Sequence, residues 1–372
     1  MGRLHDLYEQ QGQSPWLDNL RRAWLTSGEL QAWIDRGVRG MTSNPTIFAK
    51  AMGETDDYDA DLRRLAAGLT APRGAPSPAE MIGVYWELVR ADIAAATEVM
   101  WPVHDAADGT DGFVSVEVAP SLANDAEGTV VSARDLAEQI GAPNLMIKVP
   151  ATEPGVAAIE TLVGEGRSIN VTLIFGLDRY RAVMEAYLAG LERCPGDLSS
   201  VASVASFFIS RVDVLVDAEL DKIGTDEALA LKGQAAVAQA HLAYQAFREV
   251  FSGERWDALV ARGARVQRPL WASTSTKDPA YPDTLYVDRL IGSDTVNTLP
   301  DATLAAFEDH GTVARTVDAE PAEAARLIAR IEALGIDFGE VADRLEREGV
   351  RSFVESFDQA IATLTRRVGE LG

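Results

Sequence analysis

Little in this chain of 372 residues can hold a metal or a staple. It has one cysteine, Cys194, and four histidines, His5, His104, His241 and His310. A single thiol excludes an internal disulfide and a cysteine-based zinc site. The histidines form neither an HExxH motif nor a paired ligand spacing, so no metal centre is expected. Positive charge is also in deficit: 34 Lys and Arg against 57 Asp and Glu leave −23 with neutral His. Nonspecific nucleic-acid binding needs cations along the phosphate path, and an anionic membrane surface needs them too. Neither partner is expected. A small anion is still admissible, because one local Arg or a helix N-terminus outweighs distant charge under physiological screening. No apolar run approaches the roughly 20 residues of a membrane span. Met1 to Gln13 is polar and has no apolar signal core. A cytoplasmic protein is the expectation.

Nucleotide signatures are lacking as well. There is no GxxxxGK[ST] run, and the nearest glycine-rich stretch, Gly164 to Ile169, lacks a third glycine and precedes a strand pattern rather than following one. What is present is an ordinary globular composition, 47% hydrophobic and 24% charged, in a chain long enough to bury one large core.

The order of elements is informative. A short polar helix is expected from Arg3 to Gln13 and another over Ser27 to Arg36. Gly37 to Pro45 reads as a strand entering a tight turn, 68–77 as an exposed Gly/Pro loop, and Pro78 to Met100 as a long amphipathic helix. Strands then alternate with helices: Gly112 to Val118, Asn144 to Pro150, Ser168 to Phe175, Ser200 to Phe208, Arg265 to Ala272 and Asp294 to Thr298. Helices are expected over Ser132 to Ile140, Glu153 to Glu165, Leu177 to Glu192 and Asp226 to Phe251. With a stub at Trp16 to Asp18 this makes eight strands. Strand–helix alternation favours a parallel sheet, and eight units favour a closed (β/α)8 TIM barrel over an open doubly wound sheet. The fold class is therefore α/β: one barrel domain over 1–372, with its core at about 14–310, an extra N-terminal helix and a helical tail at about 318–372. The tail could close the barrel bottom, cover its mouth or meet a partner chain; a monomer and a homodimer both fit.

Lysine is scarce, with only Lys50, Lys148, Lys222, Lys232 and Lys277. Lys148 alone lies inside an apolar strand, Leu145-Met146-Ile147-Lys148-Val149-Pro150. A charge there needs a reason. It is either a structural partner of a carboxylate or an amine held in a dry pocket, where the neutral form is a nucleophile for carbonyl carbon. The flanking strands favour the second. Side chains alternate along a strand. Glu117 shares a face with Ser115, and Asn170 shares one with Thr172, while valines, isoleucine and leucine fill the opposite faces. In a barrel these polar faces point inward near the strand C-termini, where barrel enzymes place their sites. Asp18 ends the first strand, as a general acid/base or as the cap of a helix beginning at Asn19. Asn44 is a ligand residue or the pivot of an Asx turn. Ser206 and Arg211 could grip an anion, unless Arg211 pairs with Asp213 or Asp217. Trp271 reads as core.

At these residues the sequence resembles the transaldolase family, class I Schiff-base enzymes of the pentose phosphate pathway. The resemblance rests on Thr42-Ser43-Asn44-Pro45-Thr46, Val116-Glu117-Val118, Leu145 to Thr152, Ile169 to Phe175, Ser206 to Asp213 and Leu270 to Thr274. It covers about 14–300 and is closest to the longer bacterial type. It implies a transferase without metal or organic cofactor that moves a dihydroxyacetone unit between sugar phosphates. The donor would be sedoheptulose 7-phosphate or fructose 6-phosphate, the acceptor glyceraldehyde 3-phosphate or erythrose 4-phosphate. Lys148 would form the Schiff base and Asp18 would take the C4 hydroxyl proton. Glu117 would shuttle protons through a water held with Thr172. Asn44 and Asn170 would hold the substrate hydroxyls, and Arg211 and Ser206 the phosphate. Two departures stand out. Asp18 lies in WLDN rather than an Asp-Thr-Gly-like context, and Ser275 occupies the place of a second family arginine, leaving Ser273, Ser275 and Lys277 to complete the phosphate site. The rivals are an aldolase that releases dihydroxyacetone from fructose 6-phosphate, disfavoured by the carboxylate at Glu117, and a noncatalytic sugar-phosphate-binding barrel.

Overall fold

The structure, a computed structural model, describes residues 2–69 and 76–371; of the loop expected over 68–77, positions 70–75 lie outside the described residues. Eight strands close into a barrel in sequence order: β1 (Gln13–Leu17), β2 (Met41–Thr42), β3 (Val114–Glu117), β4 (Leu145–Pro150), β5 (Ile169–Ile174), β6 (Ser203–Phe208), β7 (Gln267–Ala272) and β8 (Thr295–Leu299). Every neighbouring pair is parallel, including β8 with β1. This is the (β/α)8 barrel the alternation predicts. Parallel strands wrapped by crossover helices are buried on both faces, which is why β3 to β6 read as short apolar runs.

The helix Arg3–Gln11 stops at Gly12 in the left-handed region (φ 70°) and turns straight into β1. Near that end the buried Asp111 accepts from Ser14, from Trp16 Nε1 (2.8 Å) and from Arg39 Nε (3.0 Å), and pairs with Arg268. The Asp111 carboxylate is thus satisfied, which keeps its burial from being costly.

Several helices escape the sequence reading. Pro45–Glu54 and Ser210–Ile223 follow β2 and β6 directly, and Leu285–Arg289 and Asp301–His310 flank β8. The stretch expected as continuous helix from Asp226 to Phe251 breaks into Asp226–Leu229 and Ala235–Val250. The break sits at Gly233, whose φ of +70° and close approach to the Tyr281 ring suit only glycine. The helix Pro78–Ala106 begins with a capping box, in which Ser77 and Glu80 satisfy each other's backbone N–H.

The tail forms two helices, Pro321–Ala333 and Phe338–Leu371. The second is 34 residues long and crosses the mouth of the barrel, packing on the C-terminal end of β5 and on the helix Pro45–Glu54. Of the three positions left open for the tail, this is the second. No helix among the described residues is long and apolar enough to cross a membrane.

Candidate active site

Register puts the polar groups of three strands at one level. Glu117 on β3 is the partner of Lys148 on β4, and Lys148 is in turn the partner of Asn170 on β5. Thr172, two residues further along β5, is the partner of Pro150. All four polar side chains are buried, Lys148 at 4% exposure and Glu117 at 5%.

The Lys148 amine points into the barrel mouth. Nζ lies 3.2 Å from Glu117 Oε2 and donates to the Ser43 carbonyl at 3.1 Å. The approach to Glu117 is an ion-pair contact rather than an aligned hydrogen bond, for neither carboxylate oxygen of Glu117 has a hydrogen-bond donor. Thr172 Oγ1 is likewise buried without a partner. Buried oxygens without a hydrogen-bond donor on neighbouring levels of the barrel are the kind of site that a bound hydroxyl or water satisfies. Burial pushes the Glu117 carboxyl up, with Lys148 pulling it back.

Asp18 follows β1 and is held by Thr42, whose Oγ1 donates to Oδ1 at 2.7 Å. Burial raises its pKa, opposed by Lys148 and by the Thr42 hydrogen bond. It caps no helix: the next one starts at Arg22 with Arg21 at the cap position. Asn44 does cap, its Oδ1 accepting from Ile47 N at 3.0 Å, so only the amide nitrogen is left for a ligand.

Asn170 lies at the level of Lys148, and Ser206 reaches it from β6. Asn170 donates to Ser115 Oγ (3.0 Å) and accepts from Ser206 Oγ (2.8 Å), a chain of hydrogen bonds across the interior. Ser206 thus spends its proton on Asn170. Arg211, one residue into the helix Ser210–Ile223, has no carboxylate partner among the described residues; Asp213 is taken by Tyr286 and the Ala236 N–H, and Asp217 by Tyr281 and the Gly233 N–H. The Arg211 guanidinium instead lies over the Phe208 ring, 5.2 Å from its centroid. Burial lowers its pKa, while Glu117 and Asp18 act to raise it. Ser273 takes a left-handed φ of +58°, and its Oγ meets Ser210 Oγ at 2.9 Å. Lys277 reaches the rim, where partial burial and the Arg211 charge hold its amine down.

Asp18, Asn44, Lys148, Thr172, Ser206, Arg211, Ser273, Ser275 and Lys277 all line one cavity of about 260 Å³. Glu117 and Asn170 support it from the strand level without lining it. One end thus holds a buried amine and the Asp18 carboxyl, with the Glu117 carboxyl beside the amine at the strand level. The other holds Arg211 and Lys277, which have no carboxylate partners among the described residues, together with hydroxyls. Such a pocket can condense an amine with a ketone at one end and grip a phosphate at the other.

Four further residues contribute to the site. Thr42 and Thr298 (hydroxyls 2.6 Å apart) stand beside Asp18, and Ser43 acts through its carbonyl. Phe353 comes from the tail helix, with its ring centre 5.7 Å from Lys148 Nζ. Thr42 and Ser43 are marked only by the motif they share with Asn44; nothing local marks Phe353, 205 residues after the lysine it covers.

Comparison with known proteins agrees in extent with the barrel and its tail. Residues 15–364 match the family described as Transaldolase/Fructose-6-phosphate aldolase. The chain is 50% identical over 363 residues to a Transaldolase of Thermobifida fusca, covering 96% of each chain. It is 48% identical over 371 residues to Transaldolase 1 of Streptomyces avermitilis, covering 97% of this chain and 96% of the relative. It is 47% identical over 364 residues to a Transaldolase of Mycolicibacterium paratuberculosis, covering 96% and 95%.

Proposed function

The chain belongs to the transaldolase/fructose-6-phosphate aldolase family, and from that premise we propose how it works as a transaldolase acting on sugar phosphates. The observation that carries the reading is the buried Lys148 amine, 3.2 Å from Glu117, in a cavity that also presents Arg211 and Lys277.

Lys148 attacks the C2 carbonyl of a ketose phosphate. Glu117, with a water held between it and Thr172, moves protons as the carbinolamine forms and loses water; the unpartnered oxygens of both side chains support this. The resulting iminium is the electron sink. Asp18 takes the C4 hydroxyl proton, the C3–C4 bond breaks, and an aldose phosphate leaves. A dihydroxyacetone enamine stays on Lys148 until it adds to the aldehyde of a second aldose phosphate. Asn44 holds substrate hydroxyls through its free amide end, and Asn170 sits beside Lys148 at the same strand level. Arg211 takes the phosphate, and Lys277 with the Ser273 and Ser275 hydroxyls completes that site where Ser275 replaces an arginine; Ser206 acts by orienting Asn170. No cofactor is assigned a step. The whole chain works as one domain, with the tail built into the site.

The test is transfer from fructose 6-phosphate to erythrose 4-phosphate. Sedoheptulose 7-phosphate and glyceraldehyde 3-phosphate should appear in equal amounts. Free dihydroxyacetone as the main product would favour the aldolase rival instead.

A further inference from the structure

We infer that Phe353, carried over the barrel mouth by the tail helix, is a specificity-determining wall. It keeps water from the enamine and so directs the three-carbon unit to an acceptor sugar rather than to release.

The placement is tight. At Gly349 the helix backbone comes so near the site that an added Cβ would stand 2.9 Å from Leu173 Cδ2 and 3.6 Å from Arg211 Nη1. Further back, an added Cβ at Gly176, after β5, would stand 2.9 Å from Ala342 Cβ. The helix therefore lies directly on the C-terminal end of β5. One turn beyond Gly349, Phe353 is 4% exposed and lines the cavity. The next turn anchors it: Phe357 meets Tyr85 edge-on at 4.9 Å, and Tyr85 meets Phe48 at 6.3 Å. At the far end Arg367 donates to the Met52 carbonyl (2.7 Å) and pairs with Asp59. The ring is held, with Glu117 and Ser43 against the same amine as polar partners.

Two fates compete for the enamine once the first aldose phosphate has left. In transfer, C3 attacks the acceptor aldehyde carbon, a C–C bond forms, the new alkoxide takes the proton held by Asp18, and water then hydrolyses the new iminium at C2 to free the ketose and the Lys148 amine. In release, C3 takes a proton instead and the iminium returns. Water adds at C2, a proton passes to nitrogen, and the C2–N bond breaks to free dihydroxyacetone and the Lys148 amine. Both fates end in hydrolysis of an iminium at C2 and differ only at C3, where release needs a proton that solvent supplies, so an apolar ring that closes the mouth to water suppresses release selectively.

This inference rests on the transaldolase reading, which the transfer assay on the unaltered protein tests separately. Its own test is the ratio of free dihydroxyacetone to transferred product, measured with fructose 6-phosphate and erythrose 4-phosphate for the unaltered chain, Phe353→Ala and Phe353→Leu. A ratio of two products of one intermediate is independent of how much enzyme is folded. Phe353→Ala should raise the ratio at least about fivefold by admitting water. Phe353→Leu, apolar and of adequate size, should stay near the unaltered value. An unchanged ratio in Phe353→Ala overturns the inference, and so does an equal rise in both variants, which would assign the effect to the aromatic face rather than to exclusion of water.

Discussion

At the scale of single residues, the account depends on carboxyls that burial keeps ready to carry protons. Asp18 and Glu117 both have raised pKa values, burial being the main cause and Lys148 the main opposition. A base works only when ionised. The acid limb of kcat/KM should therefore lie above the ordinary carboxylate range, and activity should fall as pH drops through it. A pH–rate profile that is flat down to the ordinary Asp value would contradict this. Glu117→Gln keeps the shape but cannot exchange a proton, so kcat should fall by about 10²–10⁴-fold; unchanged kcat would remove Glu117 from the proton path. Arg211 has no carboxylate partner to lose among the described residues. Arg211→Ala should accordingly raise KM for phosphorylated substrates about 10- to 100-fold, the worth of a charge-assisted hydrogen bond, with little loss of stability. An unaltered KM would move the phosphate elsewhere. Lys148, Glu117, Asn170 and Thr172 were legible because a charge or amide inside an apolar strand contradicts its surroundings. Thr42 and Ser43 were visible only as parts of a motif, since a hydroxyl or carbonyl that supports another residue carries no signature of its own.

Elements hold these residues at their stations. After β4 the chain turns at once into the helix Glu153–Gly164. Thr152 caps it by accepting from Gly155 N at 3.1 Å and donates to the Ala123 carbonyl. A Cβ at Gly155 would stand 1.9 Å from the Pro150 carbonyl oxygen, a backbone atom that cannot step aside. Gly155→Ala should thus cost about 1–3 kcal/mol by overpacking, seen as a lower Tm, and should also reduce kcat because Pro150 ends the strand that carries Lys148. An unchanged Tm would mean that the turn relaxes freely. Strands β3 to β6 were legible from alternation, whereas β2 spans only Met41–Thr42 and gives periodicity nothing to act on. The helix Ser210–Ile223 carries Val212, Leu215, Val216 and Leu220 at helical spacing. Its start carries no sequence mark, because it follows β6 without a loop and Ile209 at the cap position supplies no capping side chain.

For the whole molecule, a chain of net charge −23 handles anionic sugars by confining its useful cations to one mouth. Lys148, Arg211 and Lys277 line the same cavity while the acidic surplus is spread over the surface. Eight strand–helix units were enough to foresee the closed barrel. The position of the tail was not foreseeable, because helical periodicity marks which face is buried but not what buries it. Only the closed structure shows that the longer tail helix brings Phe353 to the lysine. The central claim is that the Lys148 amine becomes covalently bonded to a three-carbon unit cut from the donor. Borohydride reduction in the presence of fructose 6-phosphate, followed by intact mass and peptide mapping, tests it most directly. A single adduct of dihydroxyacetone size on Lys148, absent from folded Lys148→Ala, is the predicted result. No adduct, or one on another lysine, would contradict the account.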